Sequence, residues 1–388
     1  MTRTAPADGV VDGARARGRA AGWPRTAALV LCAWCLTVGA PRPTAAQEPA
    51  APQRVDEVTL RAAIDTLGSL DYDTRTSASR LIRRTPGAQA VPTLLDTVSG
   101  HADGYVRYRA LVLLTGFDDP RTTDAMRASL TSPNDRLRAV AYSFFEHNPD
   151  VSVLPALLDA LEREQAEFVR PALIRALAAY GNDSRVQSTL VREVGRGEDF
   201  FRSTVIEALG DHRAAYAYDA VTAVAKLDGP LLDDAALSLG KLGDPRALET
   251  LPVLQRTAPR EAQPFVAAAI CLLGTNCGSH ESYLVQTLKF ADSTIGYQEL
   301  LRGAAAGLGA LGVSGRDSAV RALFDVGVPA RDPARAPIAL ALGMVALRNT
   351  PLMLEVLRGV EARESAMALL AEGFDMLEED LDKERFFA

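Results

Sequence analysis

From residue 57 to the end of the chain, apolar residues recur every three or four positions with polar residues between them. The pattern is clear in VRYRALVLL at 106–114, LRAVAYSFF at 137–145 and VSVLPALLDAL at 151–161. An α-helix turns once every 3.6 residues, so this spacing places the apolar side chains on one helical face. The sequence therefore predicts a succession of helices in an all-α fold, each packed on its neighbours along one side.

The predicted helices end at a regular interval. Just past the apolar runs stands a Gly or Asn, and both residue types tolerate the left-handed backbone with which many helices end. Successive members of the series lie 29 to 38 residues apart: Gly87, Gly116, Asn148, Gly181, Gly210, Gly243, Gly274, Gly312 and Asn349. Two helices in each period of this length are typical of an α-solenoid, and the chain has room for roughly ten such pairs.

The turn between two predicted helices also has a repeated chemistry, most clearly in GDPRA at 243–247 and FDDPR at 117–121. Gly243 can end one helix, and Asp244 can accept hydrogen bonds from the free N–H groups that begin the next. Pro245 then falls at the start of that helix, where its missing N–H costs nothing. We expect a short corner of two residues between antiparallel helices.

These units resemble the HEAT repeat, and their short form is similar to the HEAT-like repeats of phycobilisome lyases. LSLGKLGDPRALETLPVL at 237–254 carries the resemblance best, followed by FRSTVIEALGDHRA at 201–214 and VRYRALVLLTGFDDPR at 106–121. The likeness covers nearly all of residues 56–388. It implies a superhelical stack of helical hairpins in which the first helix of each unit lies on the convex side and the second lines the concave side.

The two ends of the chain differ from the repeats. Residues 1–46 have the pattern of a signal peptide: arginines up to Arg25, an apolar run at 27–40, and small residues up to Ala46, after which we expect cleavage. Residues 47–56 form a Pro- and Ala-rich linker, and the array occupies 57–388. The last stretch, near 363–388, is apolar on one side and acidic on the other, as expected of a C-terminal cap. The apolar run is shorter than a membrane-spanning helix, so we expect no transmembrane segment in the mature chain.

Charge limits the class of partner. The first 46 residues hold six of the 42 basic and two of the 49 acidic residues, which leaves the mature chain 36 basic and 47 acidic residues, a formal net charge of −11. Such a chain repels phosphate backbones, so we expect no nucleic-acid partner.

Of the four cysteines, Cys32 and Cys35 lie in the predicted signal peptide, which leaves Cys271 and Cys277 in the mature chain. In an oxidising compartment this pair predicts a disulfide. A buried thiol and a separate turn thiol are the alternative.

The motifs that could carry chemistry fit the repeats better than an active site. GLGALG at 307–312 matches a dinucleotide-binding pattern, but it ends a predicted helix where that pattern should open one. We interpret its glycines as positions of close helix packing. The four histidines lie in different units, and a metal site needs ligands that converge. The sequence therefore predicts no catalytic residues, no cofactor and no metal.

The remaining hypothesis is a surface that binds. Tyr216 and Tyr218 are two positions apart on one predicted helix, so they point in different directions and at most one lies squarely in the core. An exposed tyrosine here is a candidate anchor for a partner. We expect a non-catalytic scaffold that binds a protein or peptide in the periplasm or cell envelope. A regulatory or assembly subunit of an envelope complex, and a lyase-like HEAT protein associated with an enzyme, remain alternatives. The oligomeric state stays open.

Overall fold

The computed structural model describes residues 52–227, 229–294, 296–377 and 380–387, and the predicted signal peptide lies outside them. The described residues form α-helices joined by short turns and contain no β-strand, which confirms the all-α prediction. Short 3-10 turns occupy Thr115–Phe117, Val151–Val153 and Ala215–Ala217. The helices are α1 (Glu57–Thr66), α2 (Tyr72–Arg84), α3 (Gly87–Gly100), α4 (Gly104–Leu114), α5 (Arg121–Ser129), α6 (Asp135–His147), α7 (Leu154–Arg163), α8 (Arg170–Ala178), α9 (Ser184–Glu193), α10 (Asp199–Asp211), α11 (Tyr218–Ala225), α12 (Leu232–Leu242), α13 (Ala247–Thr257), α14 (Gln263–Leu272), α15 (Cys277–Ser293), α16 (Gln298–Val313), α17 (Asp317–Gly327), α18 (Arg335–Arg348), α19 (Thr350–Arg358), α20 (Arg363–Met376) and α21 (Asp380–Phe387).

Many of the helices begin at a side-chain cap. Asp71, Asp103, Asn134 and Asp183 stand at the N-caps of α2, α4, α6 and α9, and each side chain accepts a hydrogen bond of 2.7 to 3.0 Å from a backbone N–H of the first turn. A helix start leaves such N–H groups without a partner inside the helix, and the cap satisfies one of them. The repeated Asp and Asn residues therefore fix where one helix stops and the next begins.

The predicted corner occurs at Gly243. This residue ends α12 in the left-handed region with φ +74°, and the Asp244 carboxylate accepts a 2.9 Å hydrogen bond from the backbone N–H of Arg246. Gly274 also has a positive φ, of +77°, after α14. Glycine is favoured at both positions because a side chain disfavours this backbone conformation.

At other corners the helix ends differ from the prediction. Gly87 begins α3, while Gly210 and Gly312 lie inside α10 and α16. The left-handed residue comes three positions later, at Arg213 with φ 51° and Gly315 with φ 106°. A Cβ on Gly210 would lie 2.8 Å from the Ser238 Oγ of α12, so this glycine allows close packing of neighbouring helices.

Helices α1 to α20 form two layers of ten. Each even-numbered helix from α2 to α18 contacts the next even-numbered helix, whereas several successive odd-numbered helices, such as α11 and α13, contact each other only weakly. In a curved stack the layer with the closer helices lies on the inside of the bend. Residues of α6 and α18 also face each other, with Glu146 and Arg348 3.9 Å apart. The even-numbered helices therefore form the inner, concave layer.

This arrangement corrects the orientation that the resemblance implied. The first helix of each unit, such as VRYRALVLL in α4 or LSLGKL in α12, lies in the concave layer, and the second lies on the convex side. The reason is the small side chains of the first helices. A Cβ on Gly240 would lie 2.8 Å from the Ala269 Cβ of α14, and one on Gly343 would lie 3.1 Å from the Gly373 carbonyl carbon of α20. The layer that packs more tightly becomes the inner one.

The GLGALG segment lies within α16. A Cβ on Gly307 would lie 3.1 Å from the Ala268 Cβ, one on Gly309 would lie 3.2 Å from the Ala341 Cβ, and one on Gly312 would lie 2.9 Å from a methyl group of Val345. These glycines let α14 and α18 approach α16 from both sides. Their interpretation as packing residues is confirmed.

Cys271 in α14 and Cys277 at the start of α15 lie within bonding distance, and their Cα atoms are 4.2 Å apart. Both are nearly buried, at 3% and 8% exposed. The bond itself stays a chemical prediction. Because the closed loop is short, we expect reduction to lower the unfolding free energy by roughly 2 kcal/mol in the chain-entropy account. Urea unfolding with and without reductant measures this, and a Cys277→Ala variant is the control because reductant should leave its unfolding free energy unchanged.

The C-terminal segment differs from a simple end cap. Helix α20 continues the inner layer by packing on α18, but α21 contacts α4, α6 and the 3-10 turn at Thr115–Phe117. Tyr72 of α2 lies 3.4 Å from the Asp375 carboxylate of α20. The inner layer within the described residues therefore curls until its last helices meet its first ones, where an end cap alone would contact only the neighbouring repeat.

Within the described ranges, no single helix is long and apolar enough to cross a membrane. The consecutive helices α18 and α19 reach the required length and composition only together, and they are bent by 118°.

Candidate functional site

Charged side chains gather on the inner layer near the C-terminal ends of its helices. These groups of both signs come from α6, α8, α10, α12 and α18, and the interior of the curl brings them close together. We call them the inner cluster: Glu146, Arg175, Glu207, Asp211, Lys241 and Arg348.

Glu146 is the most buried member, with its side chain 4% exposed. Its carboxylate lies 3.3 Å from His212 Nε2, 3.7 Å from Arg175 Nε and 3.9 Å from Arg348 Nη1. Burial opposes the charged form, but His212, His147, Arg175 and Arg348 outweigh it and hold the pKa of Glu146 below its ordinary value. A buried carboxylate needs such partners. Glu146 is therefore a fixed negative charge that joins α6 to α18.

Asp211 and Lys241 form a second pair, with Lys241 Nζ 2.7 Å from Asp211 Oδ1. Burial opposes ionisation of Asp211, yet Lys241 keeps its pKa below the ordinary value. Glu207 has no such partner at hydrogen-bond distance among the described residues. The residue is exposed to water, but the many protein atoms nearby limit the hydration of its carboxyl group. This confinement, together with the nearby Asp234, raises the pKa of Glu207 to about 7.

Glu207 should make the protein less stable as the pH rises. Its folded pKa of about 7 lies above the ordinary value of 4.5, so the folded state holds an extra proton between these values. The unfolding free energy should therefore decrease between pH 4.5 and 7 and stay lower above that. We expect Glu207→Gln to be more stable than the natural chain at pH 8 and similar at pH 4.5. Urea unfolding at both pH values measures this, with the exposed Glu361→Gln as control. An equal difference at both pH values would contradict the assignment.

A second polar site lies where α21 meets the first repeats. Arg83 of α2 donates two hydrogen bonds to the Glu384 carboxylate, one of them 2.7 Å from Nε to Oε2. His147 Nε2 of α6 lies 2.7 Å from Asp382 Oδ1. The acidic face of α21 is thus held by basic groups of two inner helices.

Helix α4 completes this site. The Tyr108 hydroxyl donates a hydrogen bond to Asp380 Oδ2, and Arg109 Nη1 lies 3.4 Å from Asp380 Oδ1. Burial raises the pKa of Asp380. We call the receiving side chains the docking surface: Arg83, Tyr108, Arg109 and His147.

An apolar contact accompanies these charges. Leu381 of α21 is 5% exposed and belongs to the core formed by the earlier repeats. It lines a cavity of about 360 Å³ together with Leu114, Phe144 and His147. The site therefore combines basic groups with a buried leucine and a recess of mixed polar and apolar lining.

The tyrosines predicted as anchors are packed into the array. Tyr218 is 7% exposed. The Arg246 guanidinium carbon lies over its ring, 4.0 Å from the ring centroid. Tyr216 is half-buried, with its ring against Gly181. Burial of Tyr218 agrees with the expectation that at most one ring lies squarely in the core. Neither ring offers the exposed face that an anchor needs.

The acidic C-terminal segment is recognisable in the sequence, but its pattern predicts only an end cap. The docking surface itself carried no local signal, because Arg83, Arg109 and His147 belong to three different repeats. Across the described part of the chain, no group of three or more His, Cys, Asp or Glu side chains is placed to hold a metal ion.

The match to a family model agrees with the helical repeat architecture. Residues 91–178 match the family model of HEAT repeats. No curated protein matches the chain in sequence. The complex of CpcE and CpcF of phycocyanin lyase from Nostoc sp. PCC7120 is similar at a TM-score of 0.41 and 18% identity, covering 67% of this chain and 97% of that chain. Importin beta in an ammonium sulfate condition is similar at a TM-score of 0.30 and 13% identity, covering 81% of this chain and 61% of that chain. Both structural likenesses are too distant to support an argument about function.

Proposed function

We propose that this chain, whose residues 91–178 match the HEAT-repeat model, works without catalysis by binding a protein or peptide partner on its concave layer. One observation carries the proposal. The inner helices α2, α4 and α6 already hold a helical segment, α21, by paired charges and a buried leucine. A surface that binds one helix in this way has the chemistry to bind another.

The inner cluster supports the same function. Glu146 lies against Arg175 and Arg348, and Asp211 against Lys241, so these charges hold one another in fixed states. Such pairs orient a charged partner and select against a wrong one. Glu207 and Asp211 are the exposed members, and Glu207 is the more available to a ligand because Asp211 is paired with Lys241.

We further propose that the protein acts in the periplasm or cell envelope after export. The supporting observations are the arginine-rich start, the apolar run at 27–40 and the small residues before Gln47. Fractionation of the native host followed by N-terminal sequencing tests this. A mature chain that begins at Gln47 in the envelope fraction supports export, and an intact chain in the cytoplasm would contradict it.

Partner binding is tested by chemical crosslinking in the native host with two matched charge variants. Glu207→Lys changes the concave layer, and Lys289→Glu changes an exposed position on α15 of the convex layer. We expect the same stoichiometric partner with the natural chain and with Lys289→Glu, and a loss of that partner with Glu207→Lys. The reverse result would favour the alternative of an assembly subunit held through its convex side.

A further inference from the structure

We propose that the docking surface on α2, α4 and α6 binds an acidic, partly apolar helical segment of a partner protein, and that α21 occupies this surface as an internal competitor. The inference rests on the proposed function. It adds the chemistry of the partner and the means by which access to the scaffold is controlled.

The helix that occupies the docking surface carries buried acidic side chains. The side chains of Asp382 and Glu384 are only 6% and 4% exposed. A carboxylate is stable at such a depth only where it is paired, because its loss of hydration is costly. His147 and Arg83 supply those pairs, and Arg83 does so with the two-pronged geometry that matches a carboxylate. The surface is therefore selective for acidic side chains.

The side chains of α21 that the docking surface recognises have a fixed spacing. Asp380, Leu381, Asp382 and Glu384 all lie on α21, and the leucine between the aspartates enters the core of the earlier repeats. The site thus recognises an apolar residue flanked by acidic residues, with a further acidic residue three positions after the apolar one. A partner segment with this pattern fits as a helix.

Helix α21 leaves part of its site unfilled. Beside Leu381 an open cavity of about 360 Å³ extends toward Phe144 and Asn148, and threonine and aspartate side chains form much of its lining. A partner side chain at this position that offers both apolar surface and hydrogen-bond donors gains contacts that Leu381 does not make. Those added contacts favour the partner over the internal helix.

A short tether joins α21 to α20 and so to the rest of the array. Only residues 377–379 separate α20 from α21. A short connection holds the tethered helix near its site at an effective concentration on the order of millimolar. A free peptide with a dissociation constant of about 10 μM should therefore bind the natural chain roughly 100-fold more weakly than a chain whose α21 is disabled.

The experiment uses the full chain and a fluorescent peptide with the sequence of residues 377–388. In one variant α21 is neutralised by Asp380→Asn, Asp382→Asn and Glu384→Gln together. The matched control removes three exposed acidic groups elsewhere, by Asp325→Asn, Glu361→Gln and Glu364→Gln. We expect the peptide to bind the neutralised variant about 100-fold more tightly than the natural chain or the control. Adding Arg83→Gln and Arg109→Gln to the neutralised variant should remove the binding.

A second variant keeps every contact and changes only the tether. Insertion of about 20 Gly and Ser residues between 377 and 380 should lower the effective concentration of α21 by roughly 20-fold. Peptide affinity should rise accordingly, with a circular dichroism spectrum like that of the natural chain. If the neutralised chain fails to fold, this variant still tests whether α21 competes with the peptide for the docking surface. A peptide affinity that is independent of tether length would overturn the proposal and show that α21 is a permanent part of the fold.

Equal peptide binding by the natural and neutralised chains, or none by a folded neutralised chain, would also overturn the inference. The proposed function fails separately. A partner captured by crosslinking but indifferent to the peptide would leave the scaffold function intact and place its site elsewhere. Peptide binding by the neutralised chain without any envelope partner would support the docking surface and contradict the proposed function.

Discussion

Replacement of Gly240 by alanine should destabilise the protein by about 3 kcal/mol, at the upper end of what overpacking costs. Gly240 lies in α12, where an added methyl would lie 2.8 Å from both the Ala269 Cβ and the Ala269 carbonyl oxygen of α14. Backbone atoms cannot rotate away as a flexible side chain can. The two inner helices would have to separate, and the close packing of the concave layer would be lost locally.

Two glycines serve as matched controls because a Cβ on either would meet no atom within 4 Å. Gly243 has φ +74°, so its replacement by alanine should cost only the strain of a left-handed residue, about 1 kcal/mol. Gly278 lies in the first turn of α15, where alanine should be neutral or slightly stabilising. Urea unfolding ranks the three variants. Equal losses for Gly240→Ala and Gly243→Ala would contradict the close approach of α12 and α14.

Replacement of Arg138 by methionine should cost about 3 kcal/mol at neutral pH, because it leaves a buried carboxylate without its positively charged partner. Arg138 Nε and Nη2 donate to Glu164 at 2.7 and 2.8 Å, and the Glu164 side chain is 4% exposed. The pair ties α6 to the end of α7. Adding Glu164→Leu to this variant should recover part of the loss, since the unpaired charge is then gone.

The loss should depend on pH in a definite direction. Arg138 is the main cause of a lowered pKa at Glu164, so the pair stabilises the fold above the ordinary value of 4.5. That stabilisation disappears as the pH falls through the lowered folded pKa. The difference between the natural chain and Arg138→Met should therefore shrink from pH 7 to acid. Arg185→Met breaks a similar pair with Asp183 at an exposed corner and should have no measurable effect.

The architecture could be predicted because its signals lie within short stretches of each repeat. The helical periodicity, the GDPRA corner and the recurring Gly and Asn residues require only neighbours in sequence, and the structure has helices where these patterns place them. The glycines of the inner layer were harder to interpret. Gly210 and Gly312 look like helix ends, but their role depends on Ser238 and Val345 of other repeats.

The site could not be predicted because it is assembled by curvature. Arg83 and Glu384 are 301 positions apart, and Tyr108 and Asp380 are 272 apart, so no local pattern pairs them. Their meeting depends on a small rotation between helix pairs that accumulates over the whole array. The resemblance to other HEAT repeats also gave the wrong concave helix, because here the smaller side chains lie in the first helix of each unit.

The most direct test is the hydrogen exchange of α21 in the intact natural chain. A helix of eight residues is not stable alone in water, so protection of its amides requires docking. We predict that residues 380–387 exchange at least about 100-fold more slowly than the free peptide, and that Arg83→Gln with Arg109→Gln removes this protection. Exchange of α21 at the rate of the free peptide in the natural chain would contradict the account.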